Sequence, residues 1–346
     1  MYEPQTVFVV GAGASAEFGL PVGWKLLEQI RDNSRFRFDH STLPKGNRKI
    51  FDTVYERYGK DAEATEKVFL AFVDINRGVE TAGSIDEFIN RYSDDGLIAE
   101  LGKILIAHAI VDAEAKSKLV PGRGNEADGI NWSGVQETWI STFSRALFDG
   151  VRANDVETLG RDMTIVCFNY DRCIEHYLEH AIMRAYRQVE RKQARQIVSN
   201  MNIIHPYGWL GHLNNLSFGT PLEHADLYHI SDNLITWSET QEEQRQVAAI
   251  KEAIEQASNL VFLGFAFANQ NMRLLDPDLP MAKNDYTNVY ATGYGLTDDV
   301  EEKLKNKITM LFGMDQSELT QPTYITIKYG MMCKEFMDKQ LLNFTI

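Results

Sequence analysis

Four short runs carry the residue types that could do chemistry: Gly11-Ala12-Gly13-Ala14-Ser15-Ala16, Asn169-Tyr170-Asp171, His205-Pro206-Tyr207-Gly208 and Gly264-Phe265-Ala266-Phe267. The first has the spacing of a phosphate-binding turn. Gly11 would permit the tight turn, Gly13 would let the backbone approach a pyrophosphate, and Ala16 is small enough for a helix to pack on a strand. A helix beginning there would offer free N–H groups and a partial positive charge to an anion. His205 supplies a side chain that can exchange a proton near neutral pH. Each run also has a purely structural reading. Asn169 or Asp171 could cap the helix that follows, His205 could be a hydrogen-bonded structural histidine, and Gly264 could serve only to turn the chain.

What gives the four runs weight is what precedes them. Val7–Val10, Met163–Phe168, Met201–His205 and Leu260–Leu263 are short apolar runs that suit strands of a parallel sheet buried on both faces. Two further strands are expected at Asn288–Thr292 and Tyr324–Ile327. Helices are expected at Trp24–Ile30, with Trp24, Leu27 and Ile30 on one face, and over 50–76. More are expected at 97–119, 135–147, 172–198, 239–257 and 298–312, the last ended by Gly313. Ser84-Ile85-Asp86-Glu87 reads as a capping box. Pro44 and the Pro121–Gly129 stretch mark loops, and residues 207–236 show no clear period. Between about 31 and 155 no strand competes with the first. The expected architecture is α/β: a Rossmann-like parallel sheet flanked by helices, with a large helical insertion after the first βα unit. In such a sheet ligands bind outside the carboxyl ends of the strands, so the four runs would meet around one crevice.

Composition sets limits. The 346 residues carry a net charge of −14, from 35 basic and 49 acidic side chains, which argues against a DNA-coating surface. Arg184, Arg187, Arg191 and Arg195, with Lys192, recur at helical spacing. They could meet nucleic acid, an acidic partner or only solvent, with solvent or a protein contact the favoured reading. No apolar run approaches the ~20 residues that span a bilayer, and no basic segment precedes an apolar one at the N-terminus, so a cytoplasmic protein is the simplest expectation. Cys167, Cys173 and Cys333 form no CxxC pair, and His212, His224 and His229 match no metal-ligand spacing, so no metal is expected. The Met331, Met332 and Met337 region reads as packing or an oligomer contact.

In order, GAGAS followed by GLP, then FNYD, HPYG and LGFAF resemble the sirtuin-like NAD-consuming proteins, over residues 1–30 and about 160–295. The nearest likeness is to the bacterial anti-phage defence branch, and SIDEF at Ser84–Phe88 also resembles those proteins. The resemblance implies a sirtuin-type NAD-binding domain over 1–30 and 156–346, interrupted by a helical insertion over 31–155. It implies that Gly11, Ala12, Gly13 and Ser15 line the pyrophosphate and nicotinamide side. Asn169 would orient the nicotinamide ribose and a water, Asp171 would contact the nicotinamide region, and His205 would act as the base. Gly264 and Phe265 would hold the adenosine side. Deacetylating sirtuins carry a four-cysteine zinc module and an Asp-Phe-Arg segment after the proline turn. This chain has three scattered cysteines, and Val22-Gly23-Trp24 follow Leu20-Pro21, which makes water the expected acceptor rather than an acyl-lysine.

The expected function is therefore an NAD glycohydrolase, with NAD as substrate and no metal, acting as a defence effector that depletes NAD. Homo-oligomerisation and a HerA-type ATPase partner are implied by the resemblance alone. The alternative is a non-catalytic NAD- or ADP-ribose-binding regulatory subunit. An NAD(P) dehydrogenase would need an acidic residue at the end of a second strand ~20 residues after the glycines. Glu28 and Asp32 lie at that distance but on or just after a helix.

Overall fold

A computed structural model describes residues 1–37, 45–122, 129–242, 244–277, 287–312 and 324–346. Pro44, Gly313 and most of the Pro121–Gly129 loop lie outside the described residues.

The expected strands all form. They are β1 (Thr6–Val10), β2 (Met163–Cys167), β3 (Asn202–Ile204), β4 (Asn259–Leu263), β5 (Asn288–Gly293) and β6 (Ile325–Tyr329). They make one six-stranded sheet in the order β3-β2-β1-β4-β5-β6, with every pairing parallel. This is the Rossmann-like order, in which the chain builds outward from β1 in one direction and then from β4 in the other. β1 is central, and all five of its residues are buried. Its side chains alternate between two cores, as the period of a strand requires. Val7 and Val9 join one and Phe8 and Val10 the other.

The register places the tips level. Val10 pairs with Cys167 on one side and with Leu263 on the other. The chain leaves all three strands at the same height, so the segments beginning at Gly11, Phe168 and Gly264 emerge side by side. The switch between the two halves of the sheet falls between β1 and β4, where a crevice forms in open parallel sheets.

Among the described residues of 31–155 there is no strand, only an isolated bridge between Arg37 and Lys45. The helices there supply layers of both cores. Gly96–Ala115 packs into the core that holds Val7 and Val9, and Trp139–Phe148 into the one that holds Phe8. Asn47, Asp61, Ser84 and Asp95 cap their helices through side-chain oxygens. Ser84 accepts from Glu87 N, while Glu87 reaches one residue further back, to Gly83 N at 2.9 Å.

Several helices differ from expectation in length or phase. The first, Gly23–Asn33, buries Leu26 and Ile30 and leaves Trp24 64% exposed, so Trp24 is not on its core face. The expected 50–76 helix is two helices, Arg48–Tyr58 and Ala62–Gly78, parted at Gly59 and restarted by the Asp61 cap. The expected 172–198 helix is also two, Cys173–Ala185 and Arg191–Asn200. Tyr186 and Val189 in the break are both buried in the second core. Residues 207–236 hold a short helix, Leu227–Ser231, capped by Asp226. Among the described residues no helix is long and apolar enough to cross a membrane.

Candidate active site

The tip of β1 is fixed first. After Gly11 the chain makes one helical turn, Ala12–Ser15, and continues as a 3-10 turn to Phe18, ended by Gly19 in the left-handed region. Buried Glu17 holds this turn in place. Its carboxylate accepts from Trp139 N at 2.8 Å and from Lys334 N at 2.7 Å, and so sits at the starts of two helices. Trp139 Nε1 returns a hydrogen bond to Ala14 O.

Three glycines from two tips interlock. Gly264 has φ +58°, and a Cβ there would lie 2.1 Å from Ala14 N. A Cβ on Gly11 would meet Gly264 O at 2.7 Å, and one on Gly13 would meet Gly264 Cα at 2.8 Å. Gly13 N donates to Gly264 O at 2.9 Å. The closest neighbour of the glycine turn is thus the β4 tip, and the Gly13 N–H is engaged there. The required absence of side chains, read from sequence as room for a phosphate, is used in this structure by the backbone of the opposite strand tip. Phe265 is buried against Phe168, with ring centroids 5.1 Å apart. Phe267 takes φ +53°, rare for a bulky residue, and its carbonyl accepts from Lys307 Nζ at 2.7 Å.

The polar groups from β1, β2 and β3 form one connected chain. Asn169 Nδ2 donates to Gly11 O at 3.0 Å and to Ser15 Oγ at 2.8 Å. The Ser15 hydroxyl lies against the Asp171 carboxyl. Asp171 Oδ1 accepts from Cys173 N at 3.1 Å, so Asp171 also helps start the following helix. Asn169 O contacts His205 Nδ1 at 3.1 Å, and His205 Nε2 lies 2.9 Å from Glu175 Oε1. Ser15, Asn169, Asp171 and His205 are all buried. Burial pushes the Asp171 carboxyl above the usual range, partly offset by its contacts with Cys173 and Ser15. Burial alone would lower His205. The Glu175 carboxylate paired with Nε2 opposes it and holds the ring well above the usual histidine range.

Sequence reasoning identified the tip residues but not the contacts that support them. Glu175 was legible only as a helix residue. Arg172, fully buried, pairs with buried Glu114 at 2.5 Å and so ties the long insertion helix to the β2 tip. Tyr170 OH donates to the Asp86 carboxylate, which brings the SIDEF segment over the FNYD tip. Burial raises that carboxyl to about 6, against the lowering effect of the Tyr170 bond. Helical phase could hint at Glu114, an acid in a largely apolar helix, but nothing in sequence reveals its partner.

A cavity of about 500 Å³ opens on the β3 side of this network. His205, Glu175, Trp209, His212, Gln246 and Arg195 are among its lining residues, whereas the glycine turn and Asn169 are not. At the tips themselves, buried Phe168 packs against the rings of Tyr207 and Phe265. The arginines 184–195 form no free basic stripe. Arg191 and Arg195 both pair with Glu179, at 3.0 and 2.6 Å, and Arg184 lies over the Trp132 ring.

Comparison with protein-family models, with curated proteins and with solved structures finds no match to this chain.

Proposed function

We propose that the chain is an NAD glycohydrolase that cleaves NAD to nicotinamide and ADP-ribose at the tips of its parallel strands. The observation that supports this most is the polar chain Ser15–Asn169–His205 across the tips of β1, β2 and β3, with Asp171 beside Ser15. It lies at the carboxyl ends of the strands, the edge at which open parallel sheets take ligands, and the sequence resemblance points to the same residues.

The chemistry asks for little beyond positioning. The nicotinamide of NAD leaves as a neutral molecule, its ring nitrogen taking the bond electrons, so departure needs no acid. The ribose passes through an oxocarbenium-like state, as in glycoside hydrolysis. A water then bonds to that carbon and releases one proton. In this reading Asn169 holds the ribose and the water. The buried Asp171 and the His205–Glu175 pair govern the proton in this reading. Depletion of NAD by a defence effector, assembly into a homo-oligomer and work beside a HerA-type ATPase extend this proposal on the resemblance alone.

A second reading, binding of NAD or ADP-ribose without turnover, is favoured by one feature. Both ring nitrogens of His205 and the Gly13 N–H are engaged within the protein. Chromatography of NAD after incubation with the purified chain separates the two. Equal amounts of nicotinamide and ADP-ribose support hydrolysis, and intact NAD recovered with the protein supports the regulatory reading.

A further inference from the structure

The surroundings of His205 fix a proton count. Its Nδ1 faces a backbone carbonyl, Asn169 O at 3.1 Å, and a carbonyl cannot donate, so Nδ1 carries a hydrogen. Its Nε2 faces Glu175 Oε1 at 2.9 Å, which requires a second proton between them, formally on either partner. The pair therefore holds two protons where a neutral histidine beside an ionised glutamate holds one. Glu175 Oε2 is buried and has no hydrogen-bond partner among the described residues. An isolated anionic oxygen in that position is costly, so sharing the charge with His205 relieves the carboxylate too. The ring is held firmly: Trp209 stacks on it at 5.1 Å and 18°, and Gln246 Nε2 donates to His205 O at 2.8 Å.

We propose that Glu175 is a positioning residue that keeps His205 doubly protonated in the resting site, so that His205 accepts a proton only after the pair has given one up to solvent. Loss of that proton leaves one hydrogen shared by the His205–Glu175 pair, which can then accept another. The pair can take up the proton that a water releases as it bonds to the ribose carbon. This last use rests on the NAD reading above; the proton count does not. The other titratable group against the ring is the Cys167 thiol from β2, which burial keeps protonated, while His212 meets the stacked Trp209 edge-on. Asp171 stands at the β2 tip. Glu179 and Arg195 neutralise each other in the adjoining cavity, so Glu175 is the carboxylate that sets the state of the ring.

The test is nitrogen-15 NMR of the full chain with labelled histidine, with the His205 signals assigned by comparison with His205→Gln. In wild type at about pH 7.5 both ring nitrogens are expected to be protonated. In Glu175→Gln the ring is expected to be neutral at that pH, its titration displaced downward by about one pH unit or more. If nicotinamide is released, the rising limb of the rate against pH moves down by a similar amount in Glu175→Gln. A bare lone pair on His205 in wild type at about pH 7.5, or an unchanged titration in Glu175→Gln, overturns the proposal. If Glu175→Gln does not fold, the wild-type spectrum decides alone. A chain that never cleaves NAD defeats the hydrolase reading, and the same spectra still decide whether Glu175 holds the second proton on His205.

Discussion

Asn169 uses its side-chain amide to join two backbone turns, and Gly264 leaves room for them to meet. Because a Cβ on Gly264 would strike Ala14 N and the residue already sits at positive φ, Gly264→Ala is expected to cost about 3 kcal/mol or more. Gly19 is also at positive φ but has nothing within 4 Å of a Cβ, so Gly19→Ala should cost about 1 kcal/mol. Urea unfolding of the two variants checks this, and equal losses would count against the interlock. Asp86 gives a pH-dependent case. Its carboxyl, raised to about 6 by burial, keeps its proton in the folded chain after the unfolded chain has released it. Its contribution is therefore fully present below the unfolded value of about 4 and is lost as pH rises through about 6. Asp86→Asn should raise the unfolding midpoint at neutral pH and leave it nearly unchanged near pH 4. The types of Gly11, Gly13, Asn169 and His205 were legible in the sequence. What each one touches was not, because Gly264 and Glu175 reach them only through the fold.

At the scale of elements, apolar runs bounded by glycine or polar residues revealed all six strands, since a strand buried on both faces has few other sequences open to it. Helices were recognised but their breaks were not. The break between Cys173–Ala185 and Arg191–Asn200 is marked by neither glycine nor proline. The Glu114–Arg172 pair shows the same limit, since it links the insertion to the β2 tip through a contact invisible to local pattern. Removing one partner leaves a buried charge without compensation, so Glu114→Gln should cost about 3–5 kcal/mol. The paired change Glu114→Leu with Arg172→Met should recover most of it. Denaturation midpoints of the single and double variants test this. A double variant no more stable than the single would show that the pair does more than neutralise charge.

For the whole molecule, periodicity could place strands along the chain but not across the sheet. The lateral order arises from the direction of each crossover, and it is that order which puts β1 beside β4 and brings the Gly11, Asn169 and Gly264 tips together. The helical insertion was visible as a stretch without strands. That its helices line both cores and set Asp86 and Glu114 against the β2 tip emerges only from packing. The molecule is thus built so that distant segments converge on one buried polar chain, and the central claim is that this chain acts on NAD. The most direct measurement is the initial rate of nicotinamide release from NAD by wild type, Asn169→Ala and His205→Ala, each shown to be folded by circular dichroism. Release by wild type is expected, with a loss of about 100-fold or more in both variants. Release that survives in folded Asn169→Ala and His205→Ala would contradict the claim, because the reaction would then lie somewhere other than the strand tips.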